Sequence, residues 1–191
     1  MALEIVQGDL SWSGEHWICM IREPGSDETS VVSHYHLRVS PAGPGNVAVI
    51  HVPGVDGAHV IATDNDDAAT FARERFFAGR SDYHHGDLPV RQATFERTGE
   101  GQPGSGWRYR FAGTEVSARW FVAEPPVVAH GHLRPGDWCF TVLYFAEEAE
   151  IHLNGRRVPG EPFTRDIWRS SIGGDRSSCV YALAETFLDT E

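Results

Sequence analysis

The chain has 191 residues, 41% of them hydrophobic, and sets 16 Lys and Arg against 27 Asp and Glu for a formal net charge of -11. That size suits one domain over residues 1–191, apolar enough to build a core without metal or cross-links, and no cofactor is expected. The acidic surface repels phosphate backbones and anionic lipid, which argues against nucleic acid and membrane partners; Arg73 with Arg75 and Arg156 with Arg157 are too few to reverse the field. The first residues lack a basic stretch followed by a long apolar one, and no window approaches the ~20 apolar residues of a membrane span, so a cytoplasmic location is expected. Cys19, Cys139 and Cys179 are widely separated and flanked by apolar residues, which reads as reduced core thiols.

Along the chain, Trp17, Cys19 and Ile21 alternate with Ile18, Met20 and Arg22, the period of a strand. In 31–39, Val31, Tyr35, Leu37 and Val39 fall on one face and His34, His36 and Arg38 on the other; 47–52 and 59–62 follow as further antiparallel strands. A short helix is expected near 65–78, with Asn65 as cap, Asp66 and Asp67 in its first turn, Ala69, Ala72 and Phe76 at helical spacing, and Gly79 to end it. Residues 81–90 are loop-like. Strands resume with Trp107, Tyr109 and Phe111, then Val116, Ala118, Trp120 and Val122, joined through Ala112, Gly113 and Thr114.

From Trp138 to Ala146 both faces are apolar, which predicts a strand buried on both sides or lining an apolar cavity. Residues 151–158 predict a hairpin turning at Asn154-Gly155, pairing Ile151 with Val158 and His152 with Arg157. At the C-terminus Val180, Leu183, Ala184, Phe187 and Leu188 have helical spacing with Ser177 and Ser178 as caps; propensity predicts a helix, although the stretch can also be written as a strand. Many short strands with frequent turns make the fold class mainly β, a single antiparallel barrel or sandwich.

Two patterns bring histidines together. His34-x-His36 and His130-x-His132 each place two imidazoles on one strand face, as in a cupin metal site, but after the second pair Gly136 or Asp137 stands where that pattern wants its Glu, and after the first no carboxylate comes until Asp56. His84 and His85 with Asp82, Tyr83 and Asp87 form a second cluster on the loop, at the rim of a pocket or simply solvated. No phosphate loop, Gly-x-Ser-x-Gly elbow or CxxC occurs. Six Trp, ten Phe and five Tyr give a closed barrel enough aromatic surface to line a ligand cavity, although packing is the commoner use.

From Trp107 onward the order of features resembles the lipocalin-like domain shared by carotenoid hydratases of the hydroxyneurosporene synthase type and some Diels–Alderases. The matching features are Trp107, the apolar stretch 118–123, Pro125-Pro126-Val127-Val128-Ala129-His130-Gly131, the aromatic stretch 138–145, the hairpin 151–158, and a Gly160 to Trp168 segment. In the last, Phe163 stands for the first aromatic residue and Asp166 comes one residue later than the family acid, which in a strand reverses the face. The resemblance implies acid–base addition to, or cyclisation of, an apolar polyene- or polyketide-like substrate. Asp166, His130 and Tyr144 are its acid–base candidates, and Trp107, Trp120, Trp138 and Trp168 its ligand-binding walls.

The leading expectation is therefore a lipocalin-like protein that binds an apolar small molecule and isomerises, hydrates or cyclises it without a cofactor. A non-catalytic carrier with the same barrel is the first alternative. A metal-dependent cupin-like enzyme, which requires the two His-x-His pairs to converge, is the second. The acidic charge and exposed strand edges are also compatible with a homodimer.

Overall fold

The structure, a computed structural model, describes residues 5–77 and 88–190. Twelve strands make one sheet: β1 (Asp9–Arg22), β2 (Thr29–Val39), β3 (Gly45–His51), β4 (His59–Thr63), β5 (Val90–Gln92), β6 (Thr94–Thr98), β7 (Ser105–Phe111), β8 (Thr114–Ala123), β9 (Val127–Arg134), β10 (Asp137–Leu153), β11 (Arg156–Arg157) and β12 (Val180–Asp189). Ten of them follow the order β5-β4-β3-β2-β1-β12-β10-β8-β7-β6, while β9 and β11 add to β10. Among the described residues only β4 and β5 pair in parallel. The two ends of this path are neighbours in sequence, since Ala93 alone separates β5 from β6 and donates its N–H to Thr63 O at 2.7 Å. The sheet therefore curls into a nearly closed barrel, which removes most of the exposed edge.

Strand register decides what lies inside. Trp17 pairs with His34 and with Tyr181, Tyr144 with Tyr181, and Trp107 with Ala118, so all of these point into the barrel. Trp17 is the hub: it stacks on Tyr181 at 4.5 Å and meets Trp120 at 5.1 Å and Trp107 at 6.3 Å edge-on. Tyr144 extends the stack from Tyr181 at 5.1 Å. Each such pair is worth about 0.5–1.5 kcal/mol beyond its buried area. Trp120 satisfies its indole N–H on Ile18 O at 2.8 Å. The surplus aromatic residues thus pack one another.

Two layers cover the outside. Helix α1 (Asp66–Ala72), capped by the Asn65 side chain on the N–H groups of Asp67 and Ala68, runs into a π-helical turn over Arg73–Phe77. Their Ala68, Ala69, Ala72 and Phe76 seat on Trp12, Tyr35, Val47 and Val49. On the other side Phe163, Trp168 and Ile172, from the segment containing helix α2 (Asp166–Ser171), cover Ile18, Met20, Leu143 and Phe145.

The hairpin at Asn154-Gly155 forms as expected, with both residues at positive φ and His152 opposite Arg157. The C-terminal helix does not: 180–189 is strand β12, held between β1 and β10. A β-bulge accounts for the difference. Tyr181 and Leu183 pack inside, yet Glu185 reaches His16 on the outer face, because the register slips between Ala182 and Glu185. The slip breaks the two-residue period and leaves a spacing that imitates a helix. Strand β10 also joins what the sequence suggests as two elements, and β9 and α2 are additions to it. Gly79 and the cluster Asp82, Tyr83, His84, His85 and Asp87 lie outside the described residues.

Phe145 is fully buried beneath Trp168, with ring centroids 5.3 Å apart. Phe145→Ala is expected to cost about 3–5 kcal/mol, seen as a lower urea midpoint with an unchanged slope.

Candidate functional site at the polar end of the barrel

The inner surface changes character at the end formed by the first half of β1 and the second half of β2. Glu15 pairs with His36 across these strands, one step beyond Trp17 and His34, and so also faces inward. Its carboxylate is about 1% exposed. Trp17 donates its indole N–H to Oε2 at 3.0 Å, while Arg97 donates to Oε1 at 2.9 Å and Arg38 to the same oxygen. Arg97 comes from β6, opposite Trp107, and its guanidinium lies 5.4 Å from the Trp17 ring and 5.8 Å from that of Trp107.

Beside this cluster, Asn46 arranges two imidazoles. Its backbone N–H and side-chain nitrogen donate to Asp64 at 2.7 and 2.6 Å, which turns its oxygen toward the barrel. That oxygen accepts from His34 Nε2 at 3.0 Å and His36 Nδ1 at 2.8 Å. His34 is therefore a neutral ring with the proton on Nε2, and burial holds its pKa down at about 3 despite the Asn46 hydrogen bond. Its Nδ1 is a buried acceptor with no hydrogen-bond partner. The Trp107 ring stands edge-on 4.4 Å away, and the Trp107 indole N–H, the Arg97 Nε–H and the Tyr109 hydroxyl are likewise buried without partners. Burial also raises the Tyr109 phenol above its usual value. Outside this cluster an open groove of about 860 Å³ runs along the rim past His36, Arg38, Asn46 and Gln92.

Beyond closure the inner surface continues as an open apron of sheet. Leu10, Leu188, Trp138 and His132 lie in register across four strands, and Thr186, Phe140 and His130 form the next row. Leu10 is 44% exposed, Phe140 36% and Val128 57%.

The sequence candidates divide among three places. His130 and Trp138 share the apron, with ring centroids 6.4 Å apart. Trp107, Trp120 and Tyr144 face the barrel interior, with Trp107 at the polar end. Asp166 and Trp168 are on α2 outside the barrel, where Asp166 is 90% exposed and paired with Arg169, and Trp168 donates to Ser177 O. The three acid–base candidates therefore do not form one site. Glu15, Arg97 and Asn46, which organise the polar end, are absent from the sequence set; the one legible sign was a Glu placed among inward apolar positions of β1.

Nor do the two His-x-His pairs converge: one is tied to Asn46 within the barrel and the other lies on the apron. Among the described residues no group of three or more His, Cys, Asp and Glu is placed to hold a metal ion. On the outer face Ser33 Oγ, His16 and Glu185 form a string, with contacts of 3.2 and 3.4 Å. Ser33 is fully buried and His16 is stacked on Tyr35 at 3.9 Å, so the string ties strands together and presents no surface nucleophile.

Among the described residues, no helix is long and apolar enough to cross a membrane. Compared with family models, curated proteins and solved structures, the chain matches none.

Two outcomes follow from this geometry. Glu15→Gln is expected to destabilise the fold by about 1–3 kcal/mol in urea titrations, less than for a fully buried pair because Arg38 and Arg97 keep contact with water. His34 has a pKa depressed from 6.5 to about 3, so as the pH falls below 6.5 the unfolded chain takes up the proton first. Stability is then lost down to about pH 3, by up to about 1.4 kcal/mol per pH unit. Urea midpoints measured between pH 7 and pH 4 should fall less steeply in His34→Gln than in the parent protein.

Proposed function

We propose that the protein binds a small, largely apolar organic molecule at the polar end of the barrel, its body lying on the apron and its polar group meeting the Glu15 cluster. The observation that carries this reading is the apron itself: the inner barrel surface runs on as an apolar face bearing Leu10, Val128, Trp138 and Phe140, and its Ser13–Thr186–Phe140 row is followed on the same face of β1 by Glu15. Monomers rarely leave such surface open without a use. A concave apolar wall with a few converging polar atoms is the usual composition of a small-molecule site.

A catalytic reading of the same site is favoured by one observation. His34 is anchored through Asn46 to Asp64 and directs an unpartnered acceptor into the barrel. Such a ring orients a substrate hydroxyl; at a pKa of about 3 it is a weak base at neutral pH. The hydration, isomerisation or cyclisation implied by the carotenoid hydratase resemblance would then fall to residues of this end, with Asp166 playing no part. Carriage without turnover needs none of this, and it is the reading we put first.

Native mass spectrometry of the purified protein should reveal a retained organic molecule. Phe140→Ser should lower its occupancy several-fold, whereas Ile167→Ser on the outer face, where Ile167 is 47% exposed, should leave it unchanged. Equal retention in all three proteins would remove the apron from the site.

A further inference from the structure

Resting on that reading, we infer that the ligand carries an anionic oxygen group, a carboxylate in the simplest case, which Arg97 and Trp107 read at the inner edge of the apron. The polar end holds two guanidiniums and one carboxylate in direct contact, which leaves one positive charge uncompensated within the cluster. The rim acids Asp64 and Asp66 are held by neutral donors, Asp64 by both Asn46 N–H groups and Asp66 by Gln92 at 2.7 Å, and keep their charges in the groove they share with Arg38. These acids lie toward β3 and β4, on the opposite side of β1 from the apron.

The unpartnered atoms have a direction. Arg97 Nε–H and Trp107 Nε1–H are both donors, they belong to directly opposed residues of β6 and β7, and Trp107 is only 5% exposed. Two buried donors side by side, one of them on a permanent cation, are best met by an acceptor that carries negative charge. The neutral acceptor His34 Nδ1, beside Trp107, suits the second oxygen when that oxygen bears a proton or a hydroxyl lies next to it. A cationic ligand would bring donors to where two donors already stand, and a plain hydrocarbon would leave both donors empty at the usual cost of a buried unpaired group.

The apron sets where the rest of the molecule lies. Phe140 is opposite Thr186, which is opposite Ser13 on β1, so it stands two strands away from the strand that bears Glu15. At about 4.8 Å between strands, the aromatic surface begins roughly 10 Å from the strand whose Glu15 carboxylate binds Arg97. This separation favours an amphipathic acid whose apolar chain or ring system spans that distance, and it disfavours a small polar anion such as phosphate.

The test compares decanoate, decanol and decylamine by calorimetric titration of the intact protein. Decanoate should bind at least ten-fold more tightly than decanol, decylamine should bind more weakly still, and the preference for decanoate should shrink as salt is added. Arg97→Met, which keeps the apolar stem, should abolish the preference for decanoate over decanol. Trp107→Phe removes one N–H and little volume, and should weaken decanoate several-fold if Arg97→Met fails to fold. Decanol binding as tightly as decanoate would overturn the inference about charge while the site itself stood; failure of all three probes to bind would overturn the site as well.

Discussion

Glu15 sits inside the barrel with almost no water to solvate it, so each carboxylate oxygen has to be met by a protein donor. Those donors come from separate parts of the chain: Trp17 from the same strand, Arg38 from β2 and Arg97 from β6 at the far end of the ten-strand path. One buried anion thereby ties β1, in the middle of that path, to β6 at its end, across the polar end of the barrel. The alternative, an apolar residue at this position, would leave Arg97 and the Trp17 indole without a counterpart. The need to solvate one carboxylate sets the placement of everything else at this end.

Closure runs through the junction of β5 and β6. The passage from β5 through Ala93 to β6 seals one side of the barrel, while β10 is long enough to pair with β8 along its second half and with β9 along its first. Along its first half the inward-oriented Phe140 is 36% exposed and does not meet a packed interior. Trp138 and Phe140 keep their inward orientation there and become the apron. Apolar surface next to buried unpaired donors is thus a product of strand length, and it is this conjunction that gives the molecule a place for an amphipathic ligand.

The barrel was legible because its strands alternate: Trp107, Tyr109 and Phe111 against Arg108 and Arg110, and Asn154-Gly155 at its hairpin, leave little choice of structure. Strand β12 was not, since its bulge sets Leu183 inside and Glu185 outside and so erases the alternation. The polar end was hidden for a different reason. His34 and His36 read as a polar strand face, the opposite of their inward orientation, because a buried imidazole satisfied by Asn46 and an exposed one look alike in sequence. Arg97 and Glu15 are 82 positions apart and announce no pairing. Asp166 entered the candidate set by resemblance alone, and its place on an external helix follows from the covering role of Trp168 and Ile172, which local spacing did not reveal.

The most direct test of a ligand seated at the polar end is to follow the indole N–H resonances of the six tryptophans while an amphipathic acid is titrated in. Trp107, whose N–H is buried without a partner, and Trp138 on the apron should shift with a common affinity. Trp120, bonded to Ile18 O, and Trp168, bonded to Ser177 O, should remain where they are. Movement confined to Trp168, or a Trp107 resonance that stays fixed while the acid binds, would contradict the account.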